Sequence, residues 1–187
     1  MRHRLTDHTL HYINTQELLT MLYTHCDRTP FENPKTQRVI DAAEGYIFFE
    51  LWRDALDELC LNVPKEDRES SKVIHVETEL FLRLKKWHFA EQSAALGESL
   101  YPEQILFGVQ RAIALRRLGN NVGASLLLNS FPDAVKRTGV LHYNTACYEA
   151  ILGCSTRARR CVLLALSVNP NLGKMIRQDA DFKKLFT

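Results

Sequence analysis

With 187 residues, 45% of them hydrophobic and 25% charged, the chain is too apolar for a disordered segment and too evenly mixed for a coiled coil. No apolar run approaches the roughly 20 residues that a membrane helix needs, and residues 1–8 carry basic side chains with no apolar block behind them, so neither a span nor a secretory leader is expected. The net charge of +2 conceals two unlike halves: residues 1–104 hold 12 Lys and Arg against 18 Asp and Glu, a net −6, and residues 105–187 hold 12 against 4, a net +8. That asymmetry suits steering of an acidic partner, head-to-tail self-attraction or drift of surface composition. The total charge is far below that of a strongly basic nucleic-acid domain. Five cysteines, Cys26, Cys60, Cys147, Cys154 and Cys161, are too few and too irregular for a disulfide scaffold, so a reduced, cytoplasmic setting is expected.

Apolar residues recur at steps of three and four, the period of a helix, and strand-like alternation hardly occurs. The spacing predicts helices over 14–26, 37–50, 53–63, 71–85, 88–99, 105–118, 121–131, 139–152, 155–168 and 172–185. Breaks fall at Pro30 to Pro34, Pro64, Pro102, Gly119, Pro132, Gly153 and Pro170. The connections are short, which makes consecutive helices antiparallel neighbours in an all-α fold.

The chain also resembles itself. The run from Ala112 to Gly119 aligns with the run from Ala146 to Gly153 at a displacement of 34 residues, and Ala90, Ala124 and Ala158 keep the same spacing. With a slip of one residue, Ala43 and Ala55 precede Thr78 and Ala90 by 35. Four helix–turn–helix units follow, at 36–70, 71–104, 105–138 and 139–170, with an N-terminal helical extension or cap at 1–35 and a capping helix at 171–187. In that cap Leu172, Met175, Ile176, Phe182 and Leu185 can cover the last unit.

Period and residue pattern together resemble the tetratricopeptide repeat family in its bacterial form. The second unit supplies Ile74, Thr78, Phe81, Ala90, Ala94, Gly97 and Pro102; the third supplies Ala112, Leu115, Gly119, Ala124 and Leu128, with Lys136 at the usual proline site. The first supplies Val39, Ala43, Tyr46, Ala55 and Leu59. In the last, Tyr143-Asn-Thr-Ala-Cys-Tyr148 looks very like a common first helix of that family, while His142, Thr145 and Glu149 depart from its large apolar preferences. The resemblance implies an α-solenoid in which small residues at the eighth and twentieth positions let paired helices approach closely, and larger ones fill the space between hairpins.

The resemblance also implies a concave groove lined by first helices. Its usual contact positions correspond to Ile40, Glu44 and Phe48, then Lys72, His75, Glu79 and Arg83, then Val109, Gln110, Ile113, Arg116 and Arg117, and last Tyr143, Asn144 and Cys147. About half of them are expected to face a ligand, the others packing against neighbouring helices. Only Asn144 matches the Lys and Asn set with which some relatives clamp a terminal carboxylate, so a heat-shock co-chaperone is disfavoured. The mixed groove suits a protein or peptide with apolar anchors and acidic flanks.

Chemistry finds little support. Cys147, Cys154 and Cys161 are seven apart, but a turn at Gly153 would break the helix that could align them, and no C-x2-C pair occurs. Cys147 reads as a small residue near the hairpin surface; His88 and His142 sit where helix packing accounts for an imidazole; His8, His11, His25 and Cys26 form a loose surface collection. Phosphate loops, dinucleotide fingerprints, nucleophile elbows and H-E-x-x-H are absent from the sequence. The expectation is therefore a non-enzymatic, cytoplasmic, protein-binding adaptor or scaffold without metal or cofactor. The alternatives are a chaperone for a secreted or assembling client, and a nucleic-acid-binding helical repeat using the basic C-terminal half. The last is weakened because Val109, Ile113, Tyr143 and Cys147 interrupt any base-reading series.

Overall fold

Proline and glycine punctuation sets the helix ends. A computed structural model describes residues 33–131 and 139–186, and every regular element in them is helical. In chain order these are α1 (Pro34–Phe48), α2 (Trp52–Asn62), a 3-10 turn (Lys65–Asp67), α3 (Ser71–Arg83), α4 (Trp87–Leu100), α5 (Ile105–Arg117), α6 (Asn121–Ser130), α7 (Gly139–Ile151), α8 (Ser155–Val168), α9 (Leu172–Gln178) and a closing 3-10 segment (Ala180–Leu185). The fold class is all-α, as expected. The expected helix over 14–26 lies outside the described residues.

Pro34 occupies the first turn of α1, where its missing N–H costs nothing, and the Asn33 side chain accepts from the Lys35 N–H at 3.1 Å. Asn120 caps α6 in the same way, accepting from the Gly123 N–H at 2.8 Å. The helices α2, α4 and α8 each end on a non-helical residue that directly precedes a proline: Val63 and Asn169 are extended, and Tyr101 has φ −133° and ψ 63°. A following proline ring disfavours the helical conformation at those positions.

The repeat is visible in backbone geometry. α3, α5 and α7 begin at Ser71, Ile105 and Gly139, and α4, α6 and α8 begin at Trp87, Asn121 and Ser155, each series spaced by 34. Each helix pair is joined by the same turn, with one residue at positive φ: Glu50 (60°), Lys85 (56°), Gly119 (85°) and Gly153 (77°). Around Lys85 the Lys86 N–H reaches the Phe81 carbonyl at 2.8 Å and the Lys85 N–H the Leu82 carbonyl at 3.1 Å. Around Gly119 the corresponding bonds are Asn120 to Leu115 at 2.9 Å and Gly119 to Arg116 at 3.0 Å. This is the Schellman ending, which satisfies carbonyls that the helix leaves without partners.

The small residues at the helix crossings share one environment. Ala43, Thr78, Ala112 and Ala146 on first helices, and Ala55, Ala90, Ala124 and Ala158 on second helices, are all fully buried. Larger residues complete the interior: Leu59, Leu80, Phe107, Leu128 and Tyr148 lose essentially all their exposure. Two glycines permit close approach in the same way, since a Cβ on Gly97 would lie 2.4 Å from the Phe107 ring and one on Gly108 would lie 2.2 Å from Phe131.

Contacts divide the described chain into two compact units, 33–131 and 139–186. Within the first, each helix packs on the next, and α3 also touches α5, the first helix of the following hairpin. Within the second, α7 packs on α8 and on the closing 3-10 segment, and α9 lies against α8. The expected helix over 172–185 is corrected here: extended backbone at Asp179 separates α9 from the 3-10 segment.

Candidate binding surface

The residues expected to line a groove lie on α1, α3, α5 and α7, and their burial divides them. Ile40, His75, Glu79, Val109, Gln110, Tyr143, Asn144 and Cys147 are buried, whereas Glu44, Lys72, Arg83, Ile113, Arg116 and Arg117 are partly exposed and Phe48 is exposed. A ligand has direct access to the second group in the conformation described.

His75 is buried, and Gln110 of α5 donates to its backbone carbonyl at 3.4 Å. Burial pulls its imidazole down to about 4 from the ordinary 6.5, so it is neutral at physiological pH. One turn on, Glu79 is buried as well. Its carboxyl is pushed upward by burial, and Arg83 opposes that shift through a 2.5 Å ion pair.

Arg83 and Arg117 both end their helices and both lie over an indole. The Arg83 guanidinium carbon is 5.0 Å from the Trp52 ring, and that of Arg117 is 5.5 Å from Trp87. In each case the arginine of one hairpin covers the tryptophan that opens the second helix of the hairpin before it. The contact fastens adjacent hairpins and holds the two charges in place, which the spacing of single residues could not disclose. Arg111 adds a further tie, reaching Glu91 and Glu98 of α4 at 2.8 Å each.

In the C-terminal unit Tyr143 and Cys147 converge on Asp179. The Tyr143 hydroxyl donates to Asp179 Oδ2, the Cys147 Sγ lies 3.8 Å from the same oxygen, and Asp179 Oδ1 accepts from the Asp181 N–H at 2.9 Å. Burial, and after it the neighbouring Cys147 and Asp179, raises the Tyr143 hydroxyl well above its ordinary range. The ring of Tyr143 meets Phe182 edge-on at 5.7 Å. Cys147 is thus interior, not near the hairpin surface as expected. Ligand-type atoms of Cys147, Asp179 and Asp181 lie within 4.8 Å of one another. Asp179 Oδ2 ties this point of the chain to α7, and Oδ1 caps the closing 3-10 segment through the Asp181 N–H.

Two of the α7 residues that depart from the tetratricopeptide pattern have local explanations. Thr145 donates to the Leu141 carbonyl at 2.9 Å, and the buried Glu149 pairs with Arg157 of α8 at 3.0 Å. His88, expected to pack, is exposed. His8, His11, His25 and Cys26 lie outside the described residues. Cys60, Cys147, Cys154 and Cys161 are thiols outside any disulfide.

Sequence reading missed the exposed apolar side chains beyond the first helices, among them Phe49, Leu61, Leu126, Leu163 and Phe186. An open groove of about 610 Å³ in the C-terminal unit is bounded by Leu163 and Leu166 of α8, Lys174 and Arg177 of α9, and Phe186. Its available signal was compositional: residues 150–178 contain five basic and no acidic side chains.

No described helix is long and apolar enough to cross a membrane. Comparison with protein-family models, curated proteins and solved structures finds no match.

Proposed function

We propose that the chain is a tetratricopeptide-like α-solenoid that binds a protein or peptide along its first helices and does no covalent chemistry. One observation carries the reading: the same positive-φ turn and the same pair of fully buried small residues recur in four hairpins at spacings of 35, 34 and 34. A hairpin with such a flat inner face is completed by stacking, and stacking aligns the first helices side by side. The α3–α5 contact agrees with that arrangement.

The accessible members of the surface combine Ile113 and Phe48 with four bases, Lys72, Arg83, Arg116 and Arg117, and one acid, Glu44. Such a surface suits a segment with apolar anchors and acidic flanks, recognised by burial of the anchors and steered by charge. Cysteines outside any disulfide at the four described positions fit a reducing, cytoplasmic setting. Photo-crosslinkers placed at Lys72 and Arg116 test the assignment against controls at Gln92 and Leu126, exposed on second helices. Capture of a protein from the first-helix positions alone is expected; equal capture from both faces, or capture of RNA, would contradict it.

A further inference from the structure

Two of the exposed apolar surfaces that the first-helix reading leaves unused differ in charge. On the N-terminal unit, the turn after α1 and the outer side of α2 expose Phe49, Leu51 and Leu61 beside Glu50, Asp54 and Asp57. Residues 49–62 hold four acids and one base, Arg53. Phe49 and Leu61 are 71% and 80% exposed, values at which a large apolar side chain gains almost nothing from folding.

On the C-terminal unit, the groove between α8 and α9 presents Leu163, Leu166 and Phe186 under a basic rim. Lys174 and Arg177 line it, Arg160 stands one turn before Leu163 and Leu164, and all three cations are exposed without an ion pair among the described residues. Leu163 is 68% and Phe186 60% exposed. A groove of that size takes a few apolar side chains of a helix and its preceding turn.

We propose that the basic groove of one copy receives the acidic ridge at α2 of a second copy. The charge complementarity selects the occupant: apolar side chains flanked by acids on one surface meet apolar walls flanked by bases on the other, and both belong to the same chain. Because two different surfaces meet, the contact is heterologous, and repetition builds a ring or an open chain of copies. Rim charges set encounter rate and salt dependence, while the apolar contacts hold the copies together. Glu50, Asp57, Lys174 and Arg177 lie outside the first-helix surface, so charge reversal there leaves its charged residues unchanged, although Phe49 of the ridge meets Phe48 of that surface edge-on at 5.2 Å.

Sedimentation velocity of the full chain tests this over a range of protein concentrations. At about 50 mM salt the mean sedimentation coefficient is expected to rise with concentration, and at about 0.5 M salt, where the screening length falls towards a few ångströms, association should weaken about tenfold or more. The double variants Glu50→Lys/Asp57→Lys and Lys174→Glu/Arg177→Glu should each lose association by a similar factor. An equimolar mixture of the two should regain it, because every mixed contact again pairs opposite charges. A wild-type chain that stays monomeric throughout, variants that associate like wild type, or a mixture that stays monomeric would each overturn the proposal.

Discussion

His75 shows what burial does to one imidazole. The ring is held near 4 in the folded chain against an ordinary 6.5, so as pH falls the unfolded chain takes up the proton first. The neutral ring's contribution is complete above about pH 6.5 and declines as pH drops towards 4, a loss of about 3 kcal/mol by linkage. Glu79 acts with the opposite sign. Its raised folded-state carboxyl favours folding at low pH and loses that advantage as pH rises. Comparing wild type with His75→Leu by urea unfolding from pH 7 to pH 4 separates the two. Wild type should lose about 3 kcal/mol more than the variant over that window; parallel curves would mean the imidazole is not held neutral by its surroundings.

At the scale of the element, the turn is the informative feature. Lys85 and Gly119 occupy equivalent left-handed positions, one with a side chain that resists that conformation and one without. Nothing lies within 4 Å of a Cβ built on Gly119, so a substitution there tests backbone conformation alone. Lys85→Gly is expected to stabilise by up to about 1 kcal/mol, and Gly119→Ala to destabilise by about 1–2 kcal/mol, in denaturant titration. Two neutral outcomes would remove the left-handed turn from the description. Most helix limits could be read from the chain because local causes set them: Pro64, Pro102 and Pro170 act on their own neighbours. The end of α9 could not. The apolar spacing of Leu172, Ile176, Phe182 and Leu185 continues past Asp179, whereas the carboxylate there is engaged by Tyr143, more than thirty residues earlier, and by the Asp181 N–H.

For the molecule as a whole, the same division between local and distant causes decides what the sequence discloses. The helical class and the 34-residue period were legible because a stacking hairpin requires small residues at fixed places, and Ala90, Ala124 and Ala158 announce them. Which first-helix residues remain accessible was not legible. His75 and Gln110 are buried through contact between hairpins, and Arg117 is drawn over Trp87 of the preceding hairpin. The apolar side chains left uncovered at α2 and around the C-terminal groove were likewise hidden, since exposure depends on the neighbours that folding supplies. The repeat itself is tested most directly by enlarging one position in every hairpin, with Ala55→Leu, Ala90→Leu, Ala124→Leu and Ala158→Leu measured singly by urea unfolding. Each of these alanines is fully buried at a helix crossing, and each variant is expected to lose about 1–3 kcal/mol. Wild-type stability in any one of the four would contradict a common hairpin geometry.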